Sequence, residues 1–294
     1  MYPNSKPTRG VLLMLAIIGG TGLYNIEDLV VLDKVQMETP FGLTSDRITI
    51  IESQGNHSLF LPRHGKDHQL LPHEINYRAN IFALKELGAK QILGVSAAGS
   101  LQENIKPGDF VIPSQYFDFT RGQREKTFFG EGLAAHVSTA EPVSKTLSHW
   151  VSTEAKEMGM TIHDDKTYAC VDGPRLGTKA ESLFLRSAGC DIVGMTNVPE
   201  AFLAREAQIC YASLCLITDY DCWKDSPDEH ASVSAVLSRY KEGILTAKNL
   251  LTRLLSQTTP AEYPDCRESL IHSILTTHES MTNEKKLILE VLTT

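Results

Sequence analysis

Short apolar runs that stop abruptly at glycine, hydroxyl or charged residues alternate with helix-period segments along most of this chain, and few folds accommodate that pattern. The runs LLMLAIIGG (12–20), RITIIES (47–53), HSLFLPRHG (57–65), AKQILGVSAAGS (89–100), PGDFVIPSQYFDF (107–119), KTYACVDGPRL (166–176), CDIVGMT (190–196) and ICYASLCLITDYD (209–221) read as strands. Between them, 74–88, 144–160, 179–189, 198–208 and 232–257 carry helical spacing, with Gly88 and Gly159 as stop signals. The second and third strands read as a pair turning at Gly55-Asn56. Strands in alternation with helices predict an α/β domain with a mixed, mostly parallel central sheet flanked by helices on both faces.

No repeat, low-complexity run or linker divides the 294 residues, so one domain is expected over 15–257, after an N-terminal extension, 1–14. The tail, 258–294, has a weak amphipathic pattern in SLIHSILTTHESM (269–281). It is expected to be helical and packed on the body or on a neighbouring subunit. Lys6 and Arg9 before an apolar run imitate a secretory signal, but the run ends in Gly-Gly-Thr-Gly without a cleavage pattern. No stretch reaches the ~18 apolar residues of a membrane span, so a soluble protein is expected. A net charge of −8 argues against a nucleic-acid surface. Six cysteines without C-x-x-C spacing argue against zinc and for reduced thiols in a reducing, intracellular compartment.

In open α/β sheets ligands gather beyond the carboxyl ends of the strands. Here those ends read GGTG (19–22), PRHG (62–65), SAAGS (96–100), GMT (194–196) and TDYD (218–221). The glycines of GGTG can turn tightly and offer backbone N–H groups to an anion. A dinucleotide fingerprint would need glycine where Asn25 stands, and no Walker loop occurs. Arg63 and His64 can bind an anion, and Ser96 and Thr196 can donate hydroxyls; each also has a bland reading as a surface ion pair or a local backbone bond. If the last strand runs on to Asp221, Asp219 and Asp221 share a face. There they can donate a proton to a leaving heterocyclic nitrogen or accept from an exocyclic amine, whereas their bland reading is a solvated or helix-capping pair.

The ordered series IIGGTG, ETPFG, RHG, NYRANI, GPR, AES, VPEA and TDYDCW resembles the trimeric purine nucleoside phosphorylases, in particular the methylthioadenosine phosphorylase branch. The likeness runs from about Leu15 to Leu255 and leaves the last forty or so residues unmatched. It implies a single-domain nucleoside phosphorylase-like fold and phosphorolysis of S-methyl-5′-thioadenosine to adenine and 5-methylthioribose 1-phosphate. Neither metal nor organic cofactor is implied, because inorganic phosphate is a co-substrate. By the same resemblance Thr21, Arg63, His64, Ser96, Ala97 and Thr196 hold phosphate, and Met195 lies against the ribose. Asp219 serves purine N7 and Asp221 the 6-amino group. Val233 and Val236 receive the methylthio group with His68 nearby, and His136 comes from the adjacent subunit of a homotrimer.

Leu176 and Gly177 stand where an aromatic residue and a serine are expected around the base, and Ser96 replaces a common threonine. Residues 117–129 and GPRL look closer to bacterial relatives that cleave 6-oxopurine nucleosides such as methylthioinosine. That substrate class is the near alternative, since a carboxylate at 221 accepts from N6–H2 but repels O6. A nucleoside-binding protein without catalysis and a nicotinamide-dependent enzyme are the alternatives from other classes. The expected location is the cytoplasm, with the nucleus also open in a eukaryotic cell.

Overall fold

The computed structural model describes residues 14–20, 23, 29–122, 124–224, 233–260 and 264–294, with the side chains of 233–237 and 264–265 left out of the description. At the centre lies β1 (Met14–Gly19), parallel to both β6 (Asn56–Pro62) and β7 (Ala89–Ser100). Ala16 and Ile18 enter one core while Leu15 and Ile17 enter another. A strand covered on both faces has no wet side, which is why its sequence is an unbroken apolar run.

Beyond β6 the sheet continues antiparallel through β5 (Ile48–Ser53) to an edge strand, β2 (Val30–Val35). The β5–β6 hairpin turns one residue earlier than expected, at Gln54-Gly55, whose φ values of 50° and 82° suit a tight hairpin; Asn56 already belongs to β6. Neither β2 nor the small hairpin of β3 (Glu38–Thr39) and β4 (Gly42–Leu43) was expected, because short edge strands lack the buried run that marks the others.

On the other side β7 pairs in parallel with β11 (Cys210–Tyr220), followed by β8 (Phe110–Asp118), β9 (Ile162–Cys170) and β10 (Ile192–Gly194). Strand β10 then pairs back onto β7, antiparallel, with Ile192 opposite Ser100 and Val193 opposite Gly99. Five strands therefore close on themselves, and β1, β6, β5 and β2 form an open limb. Five of the nine strand pairings in this sheet are parallel.

The helices α1 (Tyr77–Glu86) and α4 (Asn197–Glu206) supply apolar residues to the core on one face. Those from α2 (Lys145–Glu157) and α5 (Val233–Leu255) fill the core on the other. Asn76 and Ser144 cap α1 and α2, and α3 (Lys179–Ser187) opens with a Thr178–Glu181 capping box. Helix α5 approaches β11 at Gly243, where a Cβ would lie 2.4 Å from Leu216 Cδ2.

Two expectations change. The tail is helical only in parts: α6 (Pro264–Arg267) is followed by turns across most of SLIHSILTTHESM, then a 3-10 turn at His278–Ser280 and the helix α7 (Asn283–Thr293). Thr282 caps α7, and Ile288 and Leu292 seat it in the core that α1 and α4 share, so the tail packs on the body of its own chain. The six cysteines are not all thiols either. Cys210, at the start of β11, is joined to Cys266 in α6 by a disulfide, while Cys170, Cys190, Cys215 and Cys222 are free. Fifty-six residues separate the pair, so no local spacing announces it. Among the described residues no helix is long and apolar enough to cross a membrane.

Candidate active site

Strand order brings the polar strand ends together. The backbone N–H of Arg63 donates to Gly19 O (2.9 Å), placing the residue after β6 beside the end of β1. Its guanidinium then crosses to β7, where Nη1 donates to Val95 O at 2.8 Å. From there Ser96 Oγ reaches Asn197 Oδ1 on α4 (3.3 Å), next to Thr196. Ala97 follows on β7, in register with Leu216 of β11. The predicted anion-binding residues Arg63, His64, Ser96, Ala97 and Thr196 thus lie along one chain of contacts, while Thr21 falls outside the described residues.

Arg63 differs from the free cation the sequence suggests. It is 1% exposed, and Nε and Nη2 grip Glu200 of α4 at 2.7 and 2.8 Å, with Nη2 also donating to Ile18 O. Tyr211 donates its hydroxyl to the same carboxylate at 2.8 Å. Four N–H···O bonds use most of the guanidinium's five donors. His64 Nδ1 lies 2.8 Å from Leu70 O, and the ring stacks on His68 at 4.4 Å between centroids. Burial, with the neighbouring Arg63 charge, pushes His64 down to about 4 despite that backbone bond, so it is neutral near pH 7. A carbonyl can only accept, so Nδ1 carries the proton and Nε2 offers a lone pair. Such a ring accepts from a protonated phosphate oxygen rather than attracting a dianion by charge.

Thr196 precedes α4 and makes no capping bond with its side chain, so its hydroxyl is uncommitted among the described residues, while its N–H donates to Tyr168 (3.3 Å). Beneath it Asn197 Nδ2 donates to Ser213 Oγ (2.7 Å), which lies 2.9 Å from Tyr116 Oη. This buried network fixes Asn197, and through it Ser96.

The acid end forms where β11 leaves the sheet. A register shift at Thr218 leaves Asp219 opposite Gly99, and the N–H of Asp221 still donates to Ser100 O (3.0 Å). Both side chains converge over Gly99: a Cβ there would sit 3.1 Å from Asp219 Oδ2 and 3.4 Å from Asp221 Cβ. The two side chains lie together over Gly99 although β11 ends at Tyr220, one residue short of Asp221. Thr218 Oγ1 donates to Asp219 Oδ1 at 2.7 Å, leaving Oδ2 on the Gly99 side. Burial, helped by the like charge of Asp221, pushes Asp219 up to about 6, and burial also raises Asp221. Ser96 and Gly99 are three residues apart on β7, about 10 Å at strand rise, which matches the span from a phosphate to a base across one sugar.

Met195 sits between the two ends, and its Sδ lies where a Cβ of Gly173 would come within 2.4 Å; Gly173 also has φ +67°. Gly177 flanks the acids, since a Cβ there would lie 3.7 Å from Asp221 Oδ2, whereas Leu176 is exposed. His136 is exposed on a segment paired with the tail, its N–H donating to Ser273 O, and among the described residues it has no bond to the strand ends. Val233 and Val236 lie in the first turn of α5, with side chains outside the described set.

Three residues escape a reading by strand ends. Glu200 could have been suspected, since an acid among the apolar residues of VPEAFLA needs a partner. Tyr211 is hidden within an apolar strand. Arg124, in the hydrophilic stretch TRGQREK, looks solvated yet is buried, and it bonds the backbone carbonyls of Val171, Asp172, Met195 and Val198.

The sequence model of the Phosphorylase superfamily matches residues 14–256. An S-methyl-5′-thioadenosine phosphorylase of Geobacter sulfurreducens is 43% identical over 279 residues, covering 95% of this chain and 97% of its own. That of Hyperthermus butylicus is 46% identical over 259 residues, covering 88% and 93%. A crystal structure of a methylthioadenosine phosphorylase from an Antarctic soil metagenomic library matches with a TM-score of 0.88 at 40% identity, over 96% of this chain and 99% of that one. Likeness over nearly the full length, in sequence and in fold alike, means that this chain belongs to the phosphorylase superfamily and, within it, to the methylthioadenosine phosphorylase family.

Proposed function

We propose that this protein phosphorolyses S-methyl-5′-thioadenosine, giving adenine and 5-methylthioribose 1-phosphate. The observation that carries the reading is the buried acid pair over Gly99, set about three strand residues from an anion-binding end. In the reaction the C1′–N9 bond lengthens first and the ribose takes on oxocarbenium character. A phosphate oxygen then bonds to C1′ as the purine leaves. Asp219 protonates or hydrogen-bonds N7, which makes the purine a better leaving group. Asp221 accepts from the 6-amino group, and Met195 supports the ribose. His64, Ser96, Ala97, Thr196 and Thr21 hold phosphate with Arg63, while Val233 and Val236 accept the methylthio group beside His68.

Inorganic phosphate is a co-substrate and no cofactor takes part. Residues 15–257 form the catalytic domain, which works in the cytoplasm as a homotrimer to which a neighbouring subunit lends His136. The exposed Phe117, Leu183 and Phe184 are consistent with such an assembly. Phosphate-dependent base release from methylthioadenosine, methylthioinosine, adenosine and inosine tests the reading, with methylthioadenosine expected to be fastest. Faster cleavage of inosine or methylthioinosine would transfer the assignment to 6-oxopurine nucleosides, and binding without turnover would leave a nucleoside-binding protein.

A further inference from the structure

The anion end holds two buried arginines, and their charges are in different states. Arg63 is matched by Glu200, whose two oxygens lie 2.7 and 2.8 Å from its nitrogens. At the distance of a bound ligand such a pair acts as a dipole and adds little net charge. Arg124 is 7% exposed, and no described carboxylate forms an ion pair with it. Its guanidinium is held by neutral groups: Nη1 donates to Met195 O and Val198 O (2.7 Å each) and more distantly to Tyr77 Oη (3.5 Å) and Cys170 Sγ (3.7 Å), Nη2 donates to Val171 O (3.3 Å) and Asp172 O (2.9 Å), and the Tyr77 ring lies 5.6 Å below it. Its Nε is buried without a partner. Of the Asp172 carboxylate, Oδ2 accepts from the Arg121 N–H at 2.9 Å, while Oδ1 is buried without a hydrogen bond and forms no ion pair with Arg124. A buried cation whose contacts are all neutral is costly unless an anion answers its charge.

The geometry points to Arg124, held against the Met195 and Val198 carbonyls on either side of Thr196, as the residue whose charge gives the phosphate end its net positive potential, with Arg63 serving as a hydrogen-bond donor already neutralised by Glu200. This inference rests on the phosphorolytic reading and names a residue that touches no substrate and acts by its charge. Arg124 clamps the loop after β9 to the start of α4, so its charge is fixed against the backbone on either side of Thr196. Neutral His64 adds no charge there, although both arginines lie near enough to disfavour its protonation.

The test titrates inorganic phosphate and adenine separately into the full-length wild type, Arg124→Gln, Arg124→Lys and Glu200→Gln, by calorimetry and thermal shift. Loss of this charge should weaken phosphate binding on the order of tenfold or more in Arg124→Gln, with adenine affinity unchanged. Arg124→Lys, which keeps the charge and loses the clamp, should retain phosphate affinity. Glu200→Gln, which unmasks Arg63, should bind phosphate more tightly, and it carries the test should Arg124→Gln not fold. Phosphate affinity in Arg124→Gln equal to wild type, equal losses in the Gln and Lys variants, or weaker binding in Glu200→Gln overturns the inference and leaves the enzyme reading intact. A wild type that binds no phosphate overturns both.

Discussion

Replacing Asp219 by asparagine isolates its proton. The carboxyl is raised from 3.8 to about 6 by burial, which corresponds to about 3 kcal/mol against ionisation in the cleft. At pH 7 about one molecule in ten then carries the proton, against roughly one in a thousand or fewer for an ordinary aspartate. The sign follows from the direction: the active, protonated form is full below about 6, and turnover should fall as pH rises through that value. Folding stability follows the same course, being greater below the ordinary aspartate value and diminished as pH rises through about 6. Asparagine keeps the size and can still donate a hydrogen bond, but it cannot transfer a proton. Single-turnover adenine release at saturating phosphate should therefore fall on the order of 10²–10⁴. Phosphate affinity, which the proposed function assigns to Ser96 and Thr196 across the sugar, should not change. A wild-type rate that is flat between pH 5 and 8, or an Asn variant whose phosphate affinity falls as far as its turnover, would refute this account of Asp219.

Asp221→Asn should raise the methylthioinosine-to-methylthioadenosine ratio of kcat/KM, because an amide can donate to O6; an unchanged ratio would remove Asp221 from base recognition. Gly99→Ala puts a methyl 3.1 Å from Asp219 Oδ2, so kcat/KM should drop by about tenfold or more while Tm hardly moves. A large fall in Tm there would mean that the glycine serves packing alone. Cys266→Ser opens a 56-residue cross-link, for which loop entropy gives about 4 kcal/mol and a Tm loss on the order of 10 °C. Thiol titration of the denatured, unreduced wild type should find four free thiols, and six would dispose of the bridge.

What the sequence discloses follows burial. Strands β1, β7 and β11 stand out because both of their faces are covered, and their polar ends then stand out by contrast. Asp219 and Asp221 could be paired from spacing alone, since a strand's period of two is local. The Arg63–Glu200 contact could not, because it joins residues 137 apart through strand order that no local pattern encodes. Arg124 is hidden for a different reason: a hydrophilic stretch reads the same whether its arginine faces water or a cage of carbonyls. In the tail the apolar spacing of 270–275 imitates a helix, yet Leu270 is buried while Ile271 and Leu275 are exposed. The true helix carries its own signal, the cap at Thr282 followed by Ile288 and Leu292.

Closure of the five strands divides the site by its freedom to diverge. Val193 is held opposite Gly99 and Ile192 opposite Ser100, so the segment bearing Met195 and Thr196 cannot drift from β7 without unzipping the ring. The stretch 173–177 lies outside that constraint, with Leu176 in solvent and Gly177 beside Asp221. Under the proposed function, descendants of this chain can therefore change the base they accept by rewriting a few loop residues, while the proposed seat of the sugar and phosphate is inherited as a unit.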